Sequence, residues 1–369
     1  MGNRPIKIKR NTSISGKKRQ RNAVVKRVLG IVFVFAGLFA IGFLGAPAVM
    51  DLIDEISSGK PPVVQPQPSE EPQLPSGEDS EGQNTENPGE EIAQATPSVY
   101  YQVDTNSLLT DQGIQAAAQT VKDKGADTAV ITLKDSKGYI YWDTKTQIGS
   151  AAKAPNLIDV GKVCDIFKQN GLKVAVRIYA FEDSLAPGIN RETAVKYQGT
   201  DYNWLDTSKE FGGKPWANPA SAVMQEYLYS IVEELGVYKI DQFIFSSVQL
   251  PTGYSLDKRD FGVSEDQLKA QMQGFIKTMQ SKAQNSKAYF EFDVKAVKGE
   301  DYAKYIIPPQ QLGAENIIIT GSSEDFGENG AVQLAQSVKN SGYAENTVIC
   351  FTDKSVDKTA AGDSGYFVK

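Results

Sequence analysis

The chain contains no histidine. That absence excludes His-based nucleophile triads, imidazole general bases and His-ligated zinc or iron. Acid–base chemistry must fall to Asp, Glu, Lys, Tyr or Cys. Cysteine is scarce: Cys164 and Cys350 stand alone in the apolar runs Val163-Cys164-Asp165-Ile166 and Val348-Ile349-Cys350-Phe351. Two are too few for a disulfide scaffold, and buried, inert thiols are the expectation. The sequence has no phosphate-binding glycine loop, no CxxC pair and no dinucleotide fingerprint, so neither a cofactor nor a metal is expected. Acids are missing from the first 27 residues, which carry ten Lys/Arg. The whole chain has a net charge of −6, so the remainder is clearly acidic, and nucleic acid is not an expected partner.

Charge is also absent from Val28 to Met50, 23 residues reading VLGIVFVFAGLFAIGFLGAPAVM. Such a run is long enough to cross a hydrocarbon core of about 30 Å. The cations of residues 1–27 precede it; Asp51, Asp54 and Glu55 follow it. The positive-inside rule then predicts a single-pass cell-membrane protein with a cytoplasmic N-terminus and an extracytoplasmic bulk. A cleaved signal peptide ending near Ala46-Pro47-Ala48 is the competing reading; the apolar run is long for one, and both readings place the bulk on the same side. Residues 51–97 read as a linker. Within it, Ser57 to Pro97 holds eight prolines and eight acids and few large apolar residues, which predicts a disordered, extended tether.

From residue 98 to 369 short apolar strands alternate with amphipathic helices, the pattern of a parallel sheet. Strands are expected at Ser98–Val103, Thr128–Leu133, Leu172–Ile178, Gln242–Phe245, Ala288–Phe292, Asn316–Ile319 and Thr347–Phe351, with Gly365–Val368 as a closing eighth. Thr110 can cap the first helix, and Gly125 follows it. A second helix is expected over Ile158–Asn170. Asn218-Pro219 reads as the cap and first residue of another, and Ser264-Glu-Asp-Gln267 as a capping box. Eight such strands predict a (β/α)8, TIM-type barrel, and the length after the linker suits one.

Chemistry in such barrels sits at the C-terminal strand ends. Here those ends carry Asp104, Asp135, Glu182 with Asp183, Ser246 with Ser247, Glu291 with Asp293, and Asp353. Strand four alone of the first five lacks a carboxylate. Glu291 and Asp293 alternate with Phe290 and Phe292, so the two acids share one face of their strand. Arg177, near the end of strand three, can pair with one of these acids or contact a substrate. Trp142, Trp204 and Trp216 lie in the loops after strands two and three, with Tyr139, Tyr141, Phe181 and Tyr202 nearby. Aromatics among carboxylates suit sugar rings, which stack one apolar face and hydrogen-bond through their hydroxyls. They can equally pack the two long loops.

Residues 98–254 resemble a bacterial family of glycoside-hydrolase-type barrels. The resemblance rests on Lys134-Asp135-Ser-Lys-Gly-Tyr139-Ile-Tyr-Trp-Asp143, Val176-Arg177-Ile-Tyr-Ala-Phe181-Glu-Asp183, Trp216-Ala-Asn-Pro219 and Phe243-Ile-Phe-Ser246-Ser-Val-Gln-Leu-Pro251. It implies a carbohydrate ligand. The family typically ends strand four with Phe-Asp-Tyr-Val-Arg-Phe-Pro. Ser246 stands here in place of that Asp, Gln249 in place of the Arg, and Asn218 in place of the Asp of a Trp-x-Asp-Pro element. Glycoside hydrolysis normally needs two carboxylates, so the resemblance predicts weakened or absent catalysis.

Three readings follow. The first is a sugar-binding envelope barrel that hydrolyses little. The second is an active glycosidase pairing Asp293 with Glu182, Asp183 or Glu291. The third is an envelope protein that binds a partner and no carbohydrate. In the first two, Asp104, Asp135, Tyr139, Trp142, Arg177, Trp204, Trp216 and Ser246 are the candidate substrate contacts.

Overall fold

The computed structural model describes residues 96–369. The expected basic tail, membrane segment and nearly all of the linker lie outside the described residues. Among the described residues no helix is long and apolar enough to cross a membrane.

Eight parallel strands close into a barrel. They are β1 (Val99–Val103), β2 (Thr128–Lys134), β3 (Lys173–Tyr179), β4 (Gln242–Ser246), β5 (Lys287–Asp293), β6 (Asn316–Gly321), β7 (Asn346–Phe351) and β8 (Gly365–Val368). Each pairs with the next, and β8 returns to β1 through Val99–Tyr366 and Tyr100–Phe367. The strands are rich in Val, Ile, Phe and Tyr, which suit a pleated surface buried on both sides. Helices of ten or more residues are α1 (Asp111–Asp123), α2 (Val160–Gln169), α3 (Ala222–Leu235), α4 (Glu265–Lys282) and α5 (Gly330–Asn340). Between β5 and β6 the chain forms only a four-residue helix and two 3-10 turns, so the ring of helices is irregular there.

Helix starts follow local capping chemistry. The Thr110 hydroxyl accepts from the Gly113 N–H, and Ser264 with Gln267 forms the reciprocal capping box. The start expected at Asn218-Pro219 is corrected: α3 begins at Ala222 with Ser221 as its cap. The Asn218 side chain is engaged elsewhere, donating to the Phe261 carbonyl and accepting from the Ala220 N–H. It closes a turn ahead of the helix rather than capping it.

Strand alternation sorts the core into two parts. One fills the space between sheet and helices and holds Phe243, Phe245, Phe290 and Phe292. The other lies inside the barrel and takes one residue from each strand: Tyr100, Val130, Ala175, Ile244, Tyr289, Ile318, Val348 and Phe367. A period of two then fixes what lies above and below this apolar belt. Toward the C-terminal ends come Gln102, Thr132, Arg177, Ser246, Glu291, Thr320 and Cys350. Toward the N-terminal ends come Thr128, Lys173, Gln242, Lys287, Asn316 and Asn346. The belt is thus sandwiched between two polar layers.

Candidate active site

Five residues of the upper polar layer, Gln102, Thr132, Arg177, Ser246 and Glu291, form one connected network. The Ser246 hydroxyl donates to Glu291 Oε2 at 2.5 Å. Arg177 Nη2 stands 3.7 Å from the same oxygen. Arg177 Nη1 donates to Gln102 Oε1 at 2.8 Å, and the Gln102 amide donates onward to the Val130 carbonyl at 3.1 Å. The guanidinium lies over the Phe367 ring, 5.6 Å from its centroid. Arg177 Nε is buried without a hydrogen-bond partner. Burial pushes the Cys350 thiol up to about 11, with the Glu291 charge adding to the rise and Arg177 opposing it. Burial likewise raises the Tyr179 hydroxyl.

Two further acids stand at the strand ends. Glu182, after β3, accepts from the Ser247 hydroxyl at 2.8 Å. Ser247 has φ +53°, a left-handed turn immediately after β4. Glu182 and Glu291 are therefore held by consecutive serines at the end of one strand. Asp293 caps the short helix after β5 by accepting from the Lys295 N–H at 2.9 Å, and Lys304 Nζ lies 3.3 Å from its other oxygen. Its backbone N–H donates to the buried Tyr305 hydroxyl.

Asp183 is placed differently from these acids. It is 2 % exposed, and its Oδ2 lies 2.8 Å from Lys134 Nζ, itself fully buried. Its Oδ1 accepts from the Leu185 and Ala186 N–H groups. Lys134 also donates to the Tyr179 carbonyl at 2.7 Å. The β2–β3 register slips between Thr132 and Lys134, setting Lys134 opposite Ile178, whose side chain lies in the outer core. Gly138 closes over the pair. A Cβ there would fall 2.2 Å from Asp183 Oδ1, and its φ of +104° also favours glycine. Asp183 is thus sequestered from any ligand and braces the β2 and β3 loops.

The expected stacking surface is also corrected. All three tryptophans are buried. Trp204 and Trp216 form a small separate core with Val195, and Trp204 Nε1 donates to the Ser255 carbonyl at 3.1 Å. Trp142 joins the main core. For Trp204 and Trp216 the reason is that the long loop after β3 folds on itself through the bridges Ala194–Ala217 and Leu205–Pro215, and is pinned to the loop after β4 by the antiparallel pair Lys196–Tyr197 with Arg259–Asp260. The rings left at the surface are Tyr139, Tyr202, Phe211, Tyr254 and Tyr302. Asp135 caps its own loop, accepting from the Lys137, Gly138 and Tyr139 N–H groups. The Tyr141 hydroxyl also reaches Asp135, at 3.1 Å. Asp104 caps the turn Thr105–Leu108 through the Asn106 N–H.

The network thus joins three residues picked from sequence, Arg177, Ser246 and Glu291, to one that sequence reasoning passed over. Gln102 alternates with Tyr100 on β1, and that spacing was the available signal. Lys134 gave no such signal, because its partner lies 49 positions away in the chain.

A model of the family DUF4015, described as "Putative glycosyl hydrolase domain", matches residues 98–308. No curated protein matches the chain. Among solved structures, a hypothetical protein from Ruminiclostridium thermocellum is 19 % identical, with 52 % of this chain and 96 % of that one covered and a TM-score of 0.44. The GH20 exo β-N-acetylglucosaminidase of Vibrio harveyi is 12 % identical over 73 % of this chain and 44 % of its own, with a TM-score of 0.46. The β-N-acetylhexosaminidase of Bacteroides fragilis NCTC 9343 is 11 % identical over 70 % and 50 %, with a TM-score of 0.45. The chain spans half or less of these two enzymes. The family model covers more than half of the chain, from the start of the barrel through β5, and so the chain belongs to the "Putative glycosyl hydrolase domain" family.

Proposed function

We propose that the barrel is a carbohydrate-binding domain of glycoside-hydrolase type in which hydrolysis is weakened or absent. One observation carries this reading. The group facing Glu291 at the end of β4 is the Ser246 hydroxyl, at 2.5 Å, where the resembling family has a carboxylate. Retaining and inverting glycosidases divide the work between two carboxyl groups about 5–10 Å apart, one of which is the acid. Serine cannot act as that nucleophile or base, and the chain has no histidine to take its proton. Arg177, Gln102 and Glu291 still offer hydrogen-bonding groups to sugar hydroxyls without the missing acid. In the same reading Val28–Met50 is a membrane anchor, residues 51–97 are its tether, and the domain stands at the outer face of the cell membrane.

One arrangement favours a second reading, an active glycosidase. Glu182 and Glu291 are held by the neighbouring Ser247 and Ser246, which brings two carboxylates to one rim. Turnover of a panel of cell-wall and storage glycans separates the two. Wild type is expected to show little or none, and Ser246→Asp to raise it. Robust wild-type turnover that survives Ser246→Ala and disappears in both Glu291→Gln and Glu182→Gln assigns the reaction to that pair instead. Location is checked by protease added outside intact cells, which is expected to remove the barrel and leave a membrane-bound stub.

A further inference from the structure

The lower polar layer opens into a cavity that the proposed function does not use. It lies at the N-terminal ends of the strands, on the far side of the apolar belt from Glu291. Its volume is about 680 Å³, within the range of small-molecule sites. Tyr100, Gln242, Tyr289 and Val348 line its inner part. TIM-type barrels ordinarily fill this end with side chains and place chemistry at the other, so an open polar recess here is a departure.

The floor of the recess is chemically specific. Gln242 is 6 % exposed, and its side-chain carbonyl Oε1 has no hydrogen-bond partner. A buried carbonyl left unpaired is destabilising, so a native protein ordinarily supplies it with a donor. Beside it the Tyr100 hydroxyl is held well above its ordinary value by burial, with the Tyr289 and Gln242 side chains also acting on it. The neighbouring amides are already satisfied: Asn346 donates to Asn316, and Asn316 donates to the Ala288 carbonyl. Among this layer's amides, Gln242 is the one whose open acceptor oxygen is buried.

The walls carry balanced charge. Lys173 pairs with Asp127, and Asp241 with Lys168. Of the remaining lining charges, Lys287 and Lys339 are matched in number by Glu345 and Asp363, and none of the four forms an ion pair among the described residues. Such a wall offers no excess of either sign to a charged ligand, whereas hydroxyls can both donate to Gln242 and bridge lysines to acids. Tyr100 and Tyr289 add aromatic surface for an apolar ring face.

We infer that this recess is a second binding site, specific for a small uncharged polyhydroxylated ligand such as a monosaccharide, with Gln242 Oε1 as its buried acceptor. It is separated by the apolar belt from the C-terminal mouth, so it does not depend on whether that mouth binds or cleaves glycans.

Thermal unfolding of the purified full-length protein tests this with glucose, galactose and N-acetylglucosamine as probes, beside glucuronate and inorganic phosphate. At about ten times its Kd a ligand of the native state is expected to raise Tm by a few degrees. At least one neutral sugar should do so in wild type and in Glu291→Gln, and should lose the effect in Gln242→Leu. Gln242→Leu removes the open carbonyl together with the side-chain hydrogen bond to Tyr100, so the shift is read against the variant's own ligand-free Tm. Should Gln242→Leu unfold, Lys287→Met at the wall is the substitute, expected to weaken the same shift. A shift that survives Gln242→Leu and vanishes in Glu291→Gln would place the sugar at the C-terminal mouth and overturn the inference. So would a response confined to glucuronate or phosphate, or no response to any neutral sugar.

Discussion

Two cation–carboxylate pairs stand near the same end of the barrel, and they differ in almost everything but charge. Lys134–Asp183 is dry: its side chains are 0 % and 1 % exposed, its contact is 2.8 Å, and backbone groups bind Lys134 Nζ once and Asp183 Oδ1 twice. Arg177–Glu291 is looser, at 3.7 Å, with 12 % and 19 % exposure and an unused Arg177 Nε. In water the two would be equivalent. Inside the protein, desolvation makes the first a fixed brace whose loss is costly, and leaves the second free to exchange partners with a ligand. A carboxylate at a strand end is therefore not yet a catalytic candidate; its accessibility decides.

The strongest way to break this comparison is to remove one member of the dry pair. Lys134→Met leaves Asp183 buried and uncompensated and should cost about 3–5 kcal/mol, a fall in Tm of roughly 10 °C for a domain of this size. Lys134→Met/Asp183→Leu should recover part of that loss, though not the two N–H groups Asp183 caps. A Lys134→Met protein as stable as wild type would show that the pair is no brace. Glu291→Gln should be far milder, about 1 kcal/mol, because the amide still accepts from Ser246 and Arg177 keeps Gln102; its effect should fall on glycan binding instead. A stability loss matching that of Lys134→Met would erase the distinction.

The smallest effect concerns the thiols. Burial pushes Cys164 up to about 12 and Cys350 to about 11, against an ordinary value near 9.0. Both should alkylate slowly at pH 8 until the barrel unfolds. Above pH 9 the unfolded chain releases these protons while the fold retains them, so stability falls from pH 9 upward and levels off past the folded values. A pH-stability curve flat between 9 and 11, with rapid labelling of Cys164 and Cys350, would contradict the raised thiols.

Most of the barrel was legible in the sequence, because its signals are local. Each strand is a short apolar run with turn residues beside it, and the Ser264–Gln267 box announces α4 within four residues. The helix after Pro219 was misplaced for an equally physical reason: two good caps, Asn218 and Ser221, lie within one turn, and the competition was settled by Phe261, 43 positions away. The candidate site was legible to the extent that alternation governs it, as with Glu291 on the lumen side of β5. What stayed hidden depends on long-range pairing. The Lys134–Asp183 brace, the folding of the β3 loop over Trp204 and Trp216, and the open carbonyl of Gln242 have no local signature.

Closure of the barrel has a temporal consequence. β1 is paired on one side with β2, which follows it closely in the chain, and on the other with β8, whose residues lie more than 260 positions downstream. A ribosome adding about 5–20 residues per second leaves the outer edge of β1 without its partner for roughly 13 to 50 seconds. Throughout that interval Val99–Val103 presents unpaired backbone groups to whatever else is nearby, the condition under which strands recruit wrong neighbours. Tyr366 and Phe367, in completing the ring, end a period of exposure that began when the first strand emerged.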